Sequence, residues 1–206
     1  MGKLKILIID DNILESSPLI VHLKLSFKDA DIILRRKANE GLHYVLDNLN
    51  SKIIVLLDYD LGRGEMNGTE ILSKIREKSS LVYIIIVTAK MVESIPQKDL
   101  MTYINKDAMA FADKTISLEE KVKLVKKAIH SLDVRVDCML EEWILNKPDS
   151  EIKKPYLSTS TGETYTLYDV LSEIRQSSDF GKKMERNILL LAIDLLTRQK
   201  KQLDNE

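Results

Sequence analysis

Five residues of this sequence could between them carry phosphoryl chemistry. Asp10 and Asp11 close the apolar run Leu4–Ile9, Asp58 closes Ile53–Leu57, Thr88 closes Val82–Val87, and Lys114 follows the weaker run Ala108–Ala112. Taken singly, an Asp at the end of such a run is as readily a cap for the next turn as a site. Taken together they read differently. Clustered carboxylates repel unless a cation joins them, and they are hard oxygen ligands that suit Mg²⁺, which keeps waters and leaves room for a phosphate oxygen. A hydroxyl (Thr88) and a point positive charge (Lys114) match the remaining oxygens of a phosphoryl group. Asp58, nearest the middle of the array, is then the natural nucleophile for an aspartyl phosphate.

The elements that must position these residues follow from the apolar pattern. Ile53–Leu57 is five consecutive apolar residues with β-branched members, the signature of a strand buried on both faces. Leu4–Ile9, Asp31–Leu34, Val82–Val87 and Ala108–Ala112 supply four more strands. Helical spacing falls between them: up to about Phe27, over Ala38–Leu49, over Thr69–Glu77, and over Gln97–Ile104 with Pro96 in its first turn. Ser117-Leu118-Glu119-Glu120 is a capping box that opens a further helix. Strands alternating with helices at this spacing imply right-handed βαβ units and one parallel sheet, whose carboxyl ends collect ligands and chemistry. All five candidate residues then converge on one rim.

With 206 residues the chain accommodates one full domain plus something smaller. The 44% hydrophobic and 31% charged content fit a soluble globular protein. Cys138 stands alone, so no intrachain disulfide framework exists and a reducing compartment is the natural setting. The first apolar run is cut at Asp10, too early for a signal peptide, and Ile188–Ile193 is broken by Asp194, too early for a membrane span. The expectation is a cytoplasmic protein without a membrane partner. From Ser131 onward there are 11 Lys and Arg against 14 Asp and Glu, or −3; the remainder of 20 against 18 is +2. Neither balance is that of a nucleic-acid-binding surface.

Ile8-Ile9-Asp10-Asp11-Asn12, Leu56-Leu57-Asp58-Tyr59-Asp60-Leu61, Gly68, Val87-Thr88-Ala89 and Asp113-Lys114, in that order, resemble the receiver domain of bacterial two-component response regulators over residues 1 to about 130. The resemblance implies a flavodoxin-like α/β fold, a doubly wound five-stranded parallel sheet of order 2-1-3-4-5 with five helices. It implies that Asp58 accepts phosphate from a kinase phosphohistidine. Mg²⁺ would be bound by Asp11, Asp58 and the backbone carbonyl of Asp60, with Asp10 assisting. Thr88 and Lys114 would hold phosphoryl oxygens, and Phe111 stands where the family keeps an aromatic switch residue. Two departures stand out. Lys114 is followed by Thr115 where the family usually has proline, and a cis bond there would cost roughly 2.5–4 kcal/mol, so a trans bond is expected. The segment from Asp58 to Gly68 lacks the usual proline and is rich in glycine and polar residues.

The helix opening at Ser117 meets no breaker until Pro148. Leu118, Val122, Val125, Ile129, Leu132, Val136, Met139 and Trp143 follow four-three spacing, an a/d seam that predicts one helix about 43 Å long. Asn146–Pro155 reads as a polar linker, Tyr156–Tyr165 as a hairpin around Thr161-Gly162, and Thr166 onward as a helix start. The last helix carries Met184, Ile188, Leu189, Leu190, Leu191, Ile193, Leu195 and Leu196, too apolar around its circumference for a surface helix, which predicts cover on several sides. The organisation expected is a receiver over 1–130, a helical extension over 131–147, and a small module over 148–206 serving output or dimerisation.

Three functional classes compete. The favoured one is a non-enzymatic response regulator that signals through contacts with a downstream protein or as a homodimer. A DNA-binding transcription regulator is the alternative, but its reading helix would need exposed basic and polar residues where this chain has leucines. A phosphotransfer or hydrolase output lacks its histidine, since His22, His43 and His130 all precede residue 131 and read as ordinary helix residues.

Overall fold

The computed structural model describes residues 3–159 and 162–203, without the side chains of residues 149 and 198–203. Strands β1 (Lys5–Ile9), β2 (Asp31–Arg35), β3 (Ile53–Asp58), β4 (Tyr83–Thr88) and β5 (Ala110–Asp113) form one sheet in the order 2-1-3-4-5, every pairing parallel. Helices α1 (Pro18–Ser26), α2 (Ala38–Leu46), α3 (Gly68–Arg76), α4 (Gln97–Asn105) and α5 (Leu118–Asp133) make the crossovers and flank it. This is the flavodoxin-like fold expected.

The strand pattern explains the two layers. Along β3, Ile53, Val55 and Leu57 point to one face, where they meet Leu42 and Val45 of α2, Ile71, Leu72 and Ile75 of α3, and Tyr103 of α4. Ile54 and Leu56 point to the other, against Leu19, Ile20 and Leu23 of α1 and Val122, Val125, Ala128 and Leu132 of α5. A strand covered on both faces has no use for polar side chains until it ends, so the first functional group on β3 is Asp58.

Beyond α5 follow α6 (Val136–Leu145), α7 (Asp149–Ile152), an antiparallel pair β6 (Leu157–Ser158) and β7 (Thr164–Tyr165), α8 (Leu167–Arg175) and α9 (Asp179–Leu203). The hairpin is where the pattern places it, although Thr161 of its turn lies outside the described residues. Three expectations change. The single helix from Ser117 to Asn146 is two helices, because Val134 leaves helical geometry and Arg135 is extended. Arg135 is drawn out of register by two partners: its guanidinium donates to the carbonyl oxygen of Leu81 and forms a bidentate pair with Asp137 at 2.8 Å. The a/d seam therefore does not continue. Leu132 is buried in the core beneath α1 and α5, whereas Met139 and Trp143 are exposed, and α6 instead buries Asp137, Cys138, Glu141 and Ile144. The expected polar linker contains the one-turn α7, whose Ile152 joins Ile144, Leu167 and Leu171 in a small separate core. Lastly, α9 is not covered on several sides: Leu189, Leu190, Leu191, Ile193, Leu195 and Leu196 are all exposed.

Candidate functional site

At the carboxyl rim of the sheet, β1 delivers Asp10 and Asp11, β3 Asp58, β4 Thr88, and the turn after β5 Lys114. Carboxylate oxygens of Asp10, Asp11 and Asp58 lie within 4.8 Å of one another. Asp10 and Asp58 are 3% and 4% exposed, while Asp11 faces solvent more openly. The Lys114 ammonium reaches both buried acids, at 2.7 Å from Asp10 Oδ2 and 2.6 Å from Asp58 Oδ2. Its aim is set by the backbone: Lys114 N–H donates to the Thr88 carbonyl at 2.6 Å, which ties the turn to the end of β4. The Lys114–Thr115 bond is trans, as its sequence requires, and Lys114 nevertheless points into the site.

Local hydrogen bonds hold the acids in place. The Asn12 amide donates to Asp10 Oδ1 at 2.9 Å and the Asn12 side chain to Asp11 Oδ1 at 2.7 Å. The Asp60 amide donates to Asp58 Oδ1 at 3.3 Å. Gly68, at the start of α3, comes so close to β3 that a Cβ there would stand 2.6 Å from the Asp58 carbonyl oxygen, so only glycine permits the approach. Burial pushes the Asp58 carboxyl above its usual range; Lys114 pulls the other way and the Asp10 carboxylate adds to the rise. Burial lowers Lys114, but its two carboxylate partners outweigh that and hold it above the ordinary lysine value. Two buried acids sharing one ammonium, with a third acid beside them, leave a surplus of negative charge that a divalent cation fits.

Thr88 is fully buried at its strand end, and its Oγ1 accepts from the Lys90 amide at 3.0 Å. Asp60 presents an exposed side chain paired with Lys90 at 3.0 Å, which holds it below the usual carboxylate range. Phe111, on β5, is half-buried and packs 6.0 Å from the Tyr103 ring, one layer behind the rim. The sites expected from sequence thus come together, with Phe111 behind them.

Sequence reasoning missed Lys90 and the group behind Asp58. Lys90 lines the same open cleft, of roughly 480 Å³, as Asp11, Asp58, Asp60, Thr88 and Lys114. It also lies 4.8 Å from the Tyr59 ring centre. Tyr59, next to Asp58, donates to Asp99 Oδ2 of α4 at 2.7 Å and meets Tyr103 edge-on at 6.4 Å; Tyr103 is hydrogen-bonded to Thr69 at 2.9 Å. A lysine two residues beyond the strand-end Thr88 was the legible hint for Lys90. The tether to α4 had none, because Asp99 sits 40 residues away from Tyr59.

Neither the family models nor the curated proteins searched contain a match to this chain. Solved structures do. A CheY-like response regulator receiver domain protein from Methanospirillum hungatei JF-1 is 21% identical, with a TM-score of 0.51, covering 63% of this chain and 95% of that one. The N-terminal domain of a response regulator/sensory box/GGDEF three-domain protein from Carboxydothermus hydrogenoformans is 17% identical at 0.52, covering 63% and 96%. A DNA-binding response regulator of the LuxR family from Staphylococcus aureus is 24% identical at 0.50, covering 60% and 97%. The matches account for about the first 63% of the chain, which has the fold of CheY-like response regulator receiver domains.

Proposed function

We propose that this chain is a two-component response regulator whose Asp58 accepts a phosphoryl group from the phosphohistidine of a histidine kinase or phosphotransfer protein. The observation that carries this reading is the convergence of Asp10, Asp11 and Asp58 with Lys114 paired to both buried acids at the carboxyl rim. In the transfer, an Asp58 oxygen forms the new P–O bond as the P–N bond to the donor imidazole breaks, the electron pair returning to the imidazole nitrogen. Asp11, Asp58 and the carbonyl of Asp60 would hold Mg²⁺, with Asp10 beside them, and the ion supplies charge neutralisation for the phosphoryl oxygens. Lys114, released from part of its pairing with Asp58, and the Thr88 hydroxyl take the other oxygens. Phe111, packed on Tyr103, is the switch residue that couples the rim to α4.

The reading assigns residues 1–130 to the receiver, 131–147 to a connection, and 148–206 to a module that passes the signal to a downstream protein in the cytoplasm. It is a signalling role and not a catalytic output. Duplex DNA is not the favoured partner, since the last helix presents leucines where a reading helix needs basic and polar groups. The test is loading with acetyl phosphate or beryllofluoride and Mg²⁺. Wild type should take up label, Asp58→Asn should lose it entirely, and equal labelling of the two would remove Asp58 as acceptor.

A further inference from the structure

The loop that leads from β3 to α3 is pinned at both ends. Leu61 is buried, and Met66 packs against the same core. Between them Gly62 and Gly64 take positive φ, +93° and +83°, and stand on either side of Arg63. Gly62 is constrained twice: its φ favours glycine, and a Cβ there would stand 3.2 Å from Asp11 Oδ2. A Cβ on Gly64 would meet nothing within 4 Å, so at that position the backbone conformation alone calls for glycine. The loop is also moored sideways. Glu65 Oε2 accepts from the amide of Ala38, the first residue of α2, at 3.1 Å. Ala38 is fully buried, and Lys37, which precedes it, provides no side-chain cap. A carboxylate from another loop therefore answers one of the amides that a helix N-terminus leaves open, with the favourable sign of charge. The same junction holds the rim from its other side, since Arg36 donates to the Asp11 carbonyl oxygen through Nε at 3.1 Å and Nη2 at 2.6 Å.

This mooring decides where Arg63 stands. Arg63 lines the rim cleft together with Asp11, Asp58, Thr88 and Lys114. The other two cations of the cleft are engaged: Lys114 pairs with Asp10 and Asp58, and Lys90 with Asp60 at 3.0 Å. Arg63 is exposed and has neither an ion pair nor a hydrogen bond among the described residues. A phosphoryl donor brings negative charge toward three carboxylates, and an unengaged guanidinium at the open side of the cleft offsets that repulsion. Its planar fork can hold two phosphoryl oxygens at once. We propose that Arg63 binds the phosphoryl group of the incoming donor, and that Glu65 is a positioning residue that keeps Arg63 at the cleft through its bond to Ala38. The inference rests on the phosphoryl-transfer reading of the rim and adds to it the residue that recruits the donor. Arg63 holds the donor before and during transfer alike, so it governs how much donor is bound and not how fast the bound donor reacts.

Binding can be read apart from transfer in the full chain carrying Asp58→Asn, by titrating phosphoramidate in excess Mg²⁺ and following amide chemical shifts at the rim. Phosphoramidate is a small donor with a P–N bond. On that background Arg63→Ala should raise the half-saturating concentration about 10-fold, and Arg63→Lys should recover part of the loss. Glu65→Ala should raise it about 3-fold and quicken hydrogen exchange at the Ala38 amide; Glu65→Gln, which keeps a carbonyl acceptor, should restore both. Both positions are exposed, so the variants keep the fold. Once Arg63 is alanine, Glu65→Ala should add nothing, because Glu65 acts through Arg63. With Asp58 intact, Arg63→Ala should raise KM for phosphoramidate by the same factor and leave kcat within about 2-fold. An unchanged half-saturating concentration in Arg63→Ala overturns the inference, as does a Glu65→Ala effect that persists without Arg63, or a loss that falls on kcat alone. Whether Asp58 carries the label is decided by the loading experiment above, and either result there leaves the Arg63 titration readable.

Discussion

The two ends of the sheet each bury a cluster of charges, and the clusters are balanced in opposite ways. At the carboxyl rim, Asp10 and Asp58 share the ammonium of Lys114 with Asp11 beside them, and Asp11 and Asp60 open the cluster to solvent. At the amino edge, about 17 Å away along β3, Asp137 and Glu141 of α6 meet Arg135, Arg175 and Lys52. There Arg175 bridges Asp137 at 3.2 Å and Glu141 at 3.1 Å, and also donates to the Asn50 carbonyl oxygen. Ser79 donates to the Arg175 carbonyl at 2.6 Å, and Ser172 to Asn50 Oδ1 at 3.0 Å. Burial works on both clusters alike. It leaves Asp58 above the usual carboxylate range because one ammonium cannot offset it, yet Asp137 stays below that range because Arg135 and Arg175 outweigh the burial. A surplus of negative charge with an open side accepts a cation; a closed cluster in which each cation has a carboxylate partner is a clamp. The clamp fixes α6 and α8 to the loops that lead into β3 and β4.

Breaking the clamp should produce the largest effect. Asp137→Ala leaves two buried guanidinium groups without their common partner, and removing one member of a buried ion pair costs on the order of 3–5 kcal/mol. Urea denaturation at neutral pH measures it, and a loss under about 1 kcal/mol would mean the cluster is not a clamp. The pH dependence has a definite sign. Because the folded-state pKa of Asp137 is depressed, its contribution is fully present above the ordinary carboxylate pKa of about 3.9 and is lost as pH falls through the lower folded value. Wild type should therefore lose stability over that acidic interval, and Asp137→Ala should lose less there.

The rim should respond in the contrary manner. In the presence of chelator, Asp58→Asn removes a carboxylate that its surroundings disfavour in ionised form, so stability should change by about 1 kcal/mol or less, in either case far less than for Asp137→Ala. Mg²⁺ at tenfold above its Kd should stabilise wild type by about 1.4 kcal/mol and the variant by less, since a ligand that binds only the folded state stabilises by mass action. Thermal melts with and without Mg²⁺ decide it. Equal Mg²⁺ stabilisation of both proteins would show that Asp58 is no part of the cation site.

The same contrast governs what could be read from the sequence. The rim is legible because every strand there is an apolar run that stops at a polar residue: Ile9 before Asp10, Leu57 before Asp58, Val87 before Thr88. Local pattern and site coincide. The amino edge is assembled from residues far apart in the chain, such as Asn50 with Arg175 and Leu81 with Arg135. The four-three spacing from Leu118 to Trp143 runs through Val134 and Arg135 without any Gly or Pro, so nothing local announces the break that those distant partners impose. Likewise Ile152 lies in a stretch of polar residues and prolines, and only its burial beside Ile144 and Leu171 makes one helical turn worthwhile.

The smallest effect belongs to the contact that extends the rim toward α4. Tyr59 follows Asp58, and its hydroxyl donates to Asp99 at 2.7 Å while its ring lies against Tyr103 and beneath Lys90. Burial and the neighbouring Asp99 carboxylate push the Tyr59 phenol up to about 12, so at neutral pH it remains a proton donor. Tyr59→Phe keeps the ring and removes only the donor. A hydrogen bond to a charged acceptor contributes about 1.5–3 kcal/mol when fully enclosed, but Asp99 is only half-buried and regains water, so the loss should be nearer 0.5–1 kcal/mol. Asp99→Ala should cost a similar amount, and the double variant should cost little more than either single one, because both remove the same bond. Additive losses would show that the two side chains do not act on each other. The counterpart in dynamics is local: amide hydrogen exchange in α4 should quicken in Tyr59→Phe while exchange at the clamp stays as in wild type, since α4 loses its tie to the end of β3 and α6 keeps its pairing with Arg135 and Arg175.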